Sequence, residues 1–523
     1  MRSIPTLLFT GLLILAGGSF AAYAKPAGGT EQAKLVLRAD KPGSKIDRDI
    51  FGQFSEHLGA GIYGGIWVGP NSDIPNTDGY RNDVLAALKA LRVPVLRWPG
   101  GCFADLYHWR DGIGPRDKRP VRLNTTWGGV EENNAFGLHE FMGFAEAIGA
   151  DVYVNANVGT GSPKEVADLV EYITSPSHSA LAEERRANGR AEPWKLRWLA
   201  MGNETWGCGG NMRPEYYADL VRQYATFVRV PDERKPKILA SGANSEDYNW
   251  TKVLMSRAGQ YIDAYSLHYY TLPEGDWSHK GPATGFGEKA WIETLSHALK
   301  MEELVRKHSA IMDKYDPKRR VALAVDEWGN WYDPEPGTNP AFLVQQNTLR
   351  DALTAAINID IFVHHADRVR MANIAQMVNV LQAMILTDGP RMVLTPTYYV
   401  FQMYQPFQDA TALPLTVNAP AYRFGSFSVP GVYAAAARGK DGLVHVALAN
   451  LDPHRVMQVT IQIDGLAARS VDGQVLTADA MDAANTFAAP DRVKPAPFGD
   501  ATLGKGTLTA TLPAKSVVML NLR

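Results

Sequence analysis

Only two of the 523 residues are cysteine, Cys102 and Cys208. Two thiols cannot build a disulfide framework, so stability has to come from a buried core. Whether these two pair with each other depends on their separation in the fold and stays open at this stage. Neither sign of charge dominates, with 53 Lys and Arg against 55 Asp and Glu. That balance removes the electrostatic reason to expect nucleic acid or a membrane surface as a partner. Beyond the N-terminal segment no apolar run approaches the roughly 20 residues of a membrane-spanning helix. No Gly-x-Gly-x-x-Gly opens a helical pattern, which disfavours a dinucleotide-binding doubly wound sheet. His364 and His365 have no partner histidines or carboxylates at metal-ligand spacing, so neither a metal nor a cofactor is expected.

What is present begins with Arg2, an apolar stretch from Leu7 to Ala16, and Ala22-Tyr23-Ala24. This pattern reads as a signal peptide over residues 1–24 with cleavage after Ala24. It predicts an exported chain, periplasmic or extracellular, that leaves the membrane once cleaved. No cysteine stands at the cleavage point to carry a lipid.

Eight short apolar segments then alternate with helical patterns between Phe51 and about Phe407: Ile50 to Glu56, Val93 to Trp98, Asp151 to Asn155, Leu196 to Gly202, Ile238 to Ser241, Ala264 to His268, Val321 to Val325 and Ala372 to Val378. Helical spacing is clear in the segments that begin at Asp83, Leu138 and Pro214. Eight βα units predict an α/β chain closed into a (β/α)8 TIM barrel, whose strand C-termini line the active site. After about Asp409 the period shortens to alternating strands such as Val456-Met-Gln-Val-Thr-Ile-Gln-Ile, separated by Gly, Pro and Asp. This pattern predicts a C-terminal β-sandwich, jelly-roll-like. The expected division is residues 25–50 as a segment whose strand joins the sandwich, 51–408 as the barrel and 409–523 as the sandwich.

Two apolar strands end in carboxylates, Glu204 after Leu-Ala-Met-Gly-Asn and Glu327 after Leu-Ala-Val-Asp. Asn and Glu are depleted in strands and costly to bury unpaired, so a demand other than folding placed them there. Two carboxyl groups facing each other are the equipment of glycoside hydrolysis.

Six strings carry a resemblance: Phe51-Gly-Gln-Phe-Ser-Glu-His-Leu-Gly, Leu96-Arg-Trp-Pro-Gly-Gly, Met201-Gly-Asn-Glu, Ser266-Leu-His-Tyr-Tyr, Val325-Asp-Glu-Trp and Asn373-Ile-Ala-Gln-Met-Val-Asn-Val. In this order they resemble glycoside hydrolase family 51, the α-L-arabinofuranosidases, within a clan of retaining (β/α)8 glycosidases. The resemblance implies that Glu204 is the general acid and base and Glu327 the nucleophile. It implies that Asn203 donates to the hydroxyl beside the anomeric carbon, that Glu56 and Gln376 hold other sugar hydroxyls, and that Arg97 keeps the nucleophile ionised and oriented. Tyr270 is expected to hydrogen-bond Glu327. His268 carries over from the same string, although a strand histidine is as commonly a satisfied core residue. Trp127 and Trp331 are expected as walls of the sugar site. Many members have Asn where this chain has Cys102, which leaves the corresponding contact without a donor of equal capacity.

The implied activity is exo-acting, retaining removal of terminal α-L-arabinofuranose from arabinoxylan, arabinan or their oligosaccharides. The implied partners are an arabinose-containing saccharide and, in the resembling family, a second copy of the chain. Two rivals remain at this stage: the same machinery acting on β-xylosides or cutting β-glucan or xylan internally, and a non-catalytic carbohydrate-binding protein.

Overall fold

The computed structural model describes residues 30–523, so the signal peptide read over residues 1–24 lies outside the described residues. Eight parallel strands close into a barrel: Gly52–Phe54, Val95–Trp98, Asp151–Ala156, Trp198–Met201, Lys237–Asn244, Ala264–Thr271, Ala322–Asn330 and Val369–Ile374. Each lies within or overlaps one of the eight apolar segments of the sequence. The second strand, Val-Leu-Arg-Trp, is buried on both faces, as a parallel strand covered by helices outside and side chains inside has to be. Helices Asn82–Leu91, Leu138–Ile148 and Pro214–Phe227 occupy the helical patterns. The helix Pro163–Thr174 shows the local logic: Ser162 accepts from the Glu165 amide and Pro163 fills the first turn, where its missing N–H costs nothing.

The barrel interior is filled by a layer that mixes large and small side chains. Tyr153, Trp198 and Met371 interdigitate with Ala200, Ala264, Ala322 and Ala324. The bulky rings occupy the space that the alanines leave, so the barrel is a packed core rather than a pore.

Strand boundaries differ from the sequence reading at three places that matter for the site. The first strand covers only residues 52–54, because Arg48–Phe51 turns as a 3-10 helix whose Asp47 side chain accepts from the Asp49 amide. Glu56 therefore sits beyond the strand, on the loop. The sixth and seventh strands run further than expected, pairing from His268 with Glu327 through to Thr271 with Asn330 after a register shift. Tyr270 and Glu327 are thus held within ladders rather than on free loops.

Two sheets follow the barrel. One has five strands and includes Thr30–Arg38, which runs parallel to Val456–Asp464 and antiparallel to Leu415–Asn418; the other has six antiparallel strands centred on Val444–Asn450 and Ser516–Leu522. Leu35, Leu37, Val459 and Ile461 of the first face Val446, Leu448, Val518 and Leu520 of the second in one core. Burial alternates strictly from Met457 to Ile463, the period of a strand with one face inward. The barrel and the sheets are joined by buried bonds, among them Trp291 Nε1 donating to the Leu451 carbonyl at 3.0 Å. His364 and His365 end the helix Leu349–His364; one bonds the Ala434 carbonyl at 3.0 Å and the other Glu302 at 2.7 Å. Among the described residues no helix is long and apolar enough to cross a membrane.

Candidate active site

At the C-terminal ends of the barrel strands lies a cavity of about 240 Å³. Its lining includes eight of the ten residues singled out from sequence: Glu56, Trp127, Glu204, His268, Tyr270, Glu327, Trp331 and Gln376. The other two, Arg97 and Asn203, lie buried directly behind the carboxylates.

Glu327 is held from two sides. Arg97 donates to Oε2 at 2.9 Å and the Tyr270 hydroxyl donates to Oε1 at 2.7 Å. The guanidinium is itself fixed by the Asp326 carbonyl at 2.9 Å and by Asn203 Oδ1 at 2.5 Å. Burial works against its charge, but Tyr153, Glu327 and Asp326 outweigh that and raise the Arg97 pKa further, so it is a permanent cation here. The Tyr270 hydroxyl is pushed well above its ordinary pKa by burial and by Glu327, and so remains a donor.

Glu204 is placed differently. It follows the fourth strand on a tight turn and adopts φ of 41°, the left-handed region that a residue with a Cβ rarely enters. The turn is tied down by Asp105, which accepts from the amides of Asn203 at 2.8 Å, Val158 at 2.8 Å and Gly159 at 2.9 Å. The Glu204 side chain has one charged hydrogen-bond partner, His268, whose Nδ1 lies 2.9 Å from Oε1. Desolvation raises the Glu204 pKa; the bond from His268 opposes this and the neighbouring Glu327 adds to it. The net effect is a carboxyl that keeps its proton further up the pH scale than an exposed glutamate.

His268 sits among three carboxylates, 2.9 Å from Glu204, 3.4 Å from Asp326 and 3.5 Å from Glu327. Burial opposes its charge, yet Glu327, Asp326 and Glu204 together raise its pKa to about 10. It is an imidazolium at neutral pH. Glu204, His268 and Glu327 each present an atom within 4.8 Å of the others.

Glu56 forms the far wall. It accepts from the Phe103 amide at 3.1 Å, Trp127 Nε1 at 2.8 Å and Gln376 Nε2 at 3.1 Å. Burial, then Glu327, push its pKa to about 7 against these donors. The Pro-Gly-Gly turn is glycine-rich for a steric reason: a Cβ at Gly101 would stand 2.7 Å from the Glu56 carboxylate oxygens.

Three groups were not singled out from sequence. Asp326 accepts from Tyr153 at 2.6 Å and Ser266 at 2.5 Å; desolvation is overcome by His268 and its pKa falls to about 2. Trp206 and Trp277 line the cavity with Trp331, and Trp277 meets Trp331 edge to face at 5.2 Å. Trp206 stands two residues after Glu204, a proximity that could have flagged it; Trp277 sits in a loop with no such signal. Cys102 and Cys208 are joined, with Cα atoms 5.5 Å apart, beside Glu204.

Comparison with known proteins places this chain in a family. Residues 87–283 match the family model described as alpha-L-arabinofuranosidase 1 domain, and residues 326–516 match the one described as alpha-L-arabinofuranosidase C-terminal domain. An intracellular exo-alpha-L-arabinofuranosidase of Bacteroides ovatus is 50% identical, with 98% of this chain and 99% of that protein aligned. The structure of the GH51 arabinofuranosidase from Xanthomonas axonopodis pv. citri is 58% identical with a TM-score of 0.93, covering 94% of this chain and 100% of that one. An α-L-arabinofuranosidase from Thermotoga maritima, solved as an arabinose complex, is 30% identical with a TM-score of 0.83, covering 94% of this chain and 99% of that one.

The Bacteroides relative corrects one expectation. It aligns with nearly all of this chain and is named as intracellular, which overturns the export, periplasmic or extracellular, read from residues 1–24. A short apolar run after one arginine is a compositional pattern, and it does not by itself commit a chain to translocation. The chain belongs to glycoside hydrolase family 51 and is an α-L-arabinofuranosidase.

Proposed function

We propose that the enzyme removes terminal non-reducing α-L-arabinofuranosyl residues from arabinoxylan, arabinan or derived oligosaccharides by exo-acting double displacement. The observation that carries the mechanism is the approach of Glu204 and Glu327, whose nearest oxygens lie within 4.8 Å. Carboxyl groups about 5 to 5.5 Å apart suit a covalent intermediate, whereas inversion needs roughly 6.5 to 9.5 Å to admit a water between them.

Glu327 is the nucleophile. Arg97 and Tyr270 hold its two oxygens, so it is aimed into the cavity as a carboxylate. Its attack on the anomeric carbon forms a glycosyl ester while Glu204 passes its proton to the departing oxygen. The now ionised Glu204, stabilised by the His268 imidazolium, takes a proton from water, and that water cleaves the ester. Each step inverts the anomeric centre, so two steps retain it. Asn203 donates to the hydroxyl beside that centre, Glu56 and Gln376 hold the distal hydroxyls, and Trp127 and Trp331 wall the ring.

The exo-acting relative from Bacteroides and the arabinose-bound relative from Thermotoga support this substrate. We also propose the chain division at residues 50 and 408, the strand pairing of Thr30–Arg38 supporting an N-terminal contribution to the sandwich. The functional test is release of p-nitrophenol from the α-L-arabinofuranoside, the β-D-xyloside and the β-D-glucoside, with product analysis on arabinan. Rapid release from the first alone, with arabinose as the sole early product, is expected. Faster release from either other glycoside, or early oligosaccharides from arabinan, would overturn the substrate or the exo action.

A further inference from the structure

The Cys102–Cys208 disulfide joins two loops beside Glu204. Cys208 is solvent-exposed and Cys102 half-buried, so a reductant can reach the bond. The residues flanking both cysteines are held in place by other bonds. On one side, the Phe103 amide donates to Glu56 at 3.1 Å and the Ala104 amide to the Gly101 carbonyl at 3.0 Å. On the other, the amides of Gly207 and Gly209 donate to the Glu204 carbonyl at 2.7 and 3.1 Å, and that of Asn211 to Gly207 at 2.8 Å. Opening the disulfide therefore leaves two thiols facing each other on backbones 5.5 Å apart.

A third ligand is already there. Glu204 Oε2 lies 3.8 Å from Cys208 Sγ, and Cys102, Glu204 and Cys208 each present an atom within 4.8 Å of the others. Tetrahedral zinc, with bonds of about 2.3 Å to sulfur and 2.1 Å to oxygen, needs sulfurs about 3.8 Å apart and a carboxylate oxygen about 3.6 Å from each. His268 holds the other oxygen of Glu204, the kind of outer contact that orients a ligating carboxylate. The fourth position opens to the cavity, which Cys102 and Glu204 both line.

We propose that reduction of Cys102–Cys208 opens a site for a thiophilic divalent cation, zinc the type case, formed by the two thiolates and Glu204, and that occupation of this site switches off hydrolysis. With a phosphine reductant the S–S bond breaks, two thiols form, and the phosphine takes oxygen from water to become its oxide. The cation then displaces both thiol protons and the proton of Glu204. While the disulfide is closed the sulfurs are bonded to each other and the site does not exist. The inhibitory half rests on Glu204 acting as acid and base; the binding half does not.

The test uses cobalt(II), whose sulfur-to-metal charge-transfer absorption reports thiolate ligation, on full-length enzyme reduced with a phosphine and freed of it under argon. One equivalent is expected to bind the reduced enzyme with that absorption, and none the oxidised enzyme. Cys208→Ser and Cys102→Ser should each weaken the band. Glu204→Gln should keep it while lowering affinity by about tenfold or more, since an amide is a poor ligand. Zinc should then abolish turnover by reduced enzyme, sparing oxidised enzyme, with recovery on chelation. Absence of the band from reduced enzyme, or an undiminished band in both serine variants, overturns the site. The band with undiminished turnover overturns the inhibition and, with it, the role given to Glu204.

Discussion

The two carboxylates of the cavity are built in opposite ways. Glu327 lies within a strand ladder, with an arginine and a tyrosine on its two oxygens. Glu204 lies on a strained turn, bonded to one imidazolium and 18% exposed at its side chain. The first arrangement fixes a charge in one place, as an attacking group requires. The second lets a proton be held and surrendered. In the proposed mechanism the barrel assigns the two roles through backbone context as much as through charge, since the residue type is the same.

The largest expected effect breaks the fixed side. Glu327→Ala should lower kcat by about 10⁴-fold or more, because no other group can form the ester. Azide added to this variant should give the β-configured glycosyl azide by a single inversion. Glu204→Ala should cost about 10² to 10⁴-fold. Azide should rescue it with the α-configured product, because the ester on Glu327 still forms. Exchange of these two outcomes would reverse the assignment.

The proton on Glu204 sharpens the same contrast through pH. Its pKa is raised, so kcat/KM should fall only as pH rises through that elevated value and the acid form is lost. The His268 hydrogen bond works to lower it, so His268→Ala should carry the alkaline limb to higher pH. A limb that stays in place or moves down would show that His268 does not act on Glu204.

Smaller effects should fall on stability. Arg97→Met takes the guanidinium from buried Glu327, leaving Tyr270 and His268 beside it, and should destabilise by up to about 3 to 5 kcal/mol, measured by denaturant unfolding. Ile461→Ala, in the sandwich core, should cost about 2 to 5 kcal/mol yet leave KM unchanged. Its exposed neighbour Thr460→Ala should stay within about 0.5 kcal/mol of the parent.

Much of this was legible in the sequence. The eight strands were legible as short, mostly apolar segments, and polar residues gather where the barrel opens. Glu204 and Glu327 stood out for the same reason. Asp326 did not, because strict alternation would send it to the face opposite Glu327. Register shifts between Ser266 and His268, and between Val325 and Trp328, turn both acids inward, and no residue type marks those shifts. The pairing of Cys102 with Cys208 depends on loops that follow the second and fourth strands and meet only once the third strand is placed between those two in the barrel. Trp277 belongs to a loop of no period. The N-terminal run differs for the converse reason: a clear local pattern is not by itself an address.

The proposed reaction is a double displacement across Glu204 and Glu327. Proton NMR during the first minutes of hydrolysis of p-nitrophenyl α-L-arabinofuranoside tests it most directly, since the released sugar can be observed before its anomers equilibrate. The α-anomer should accumulate first, and the β-anomer should grow in only as mutarotation proceeds. First appearance of the β-anomer would mean a single inversion and would rule out double displacement.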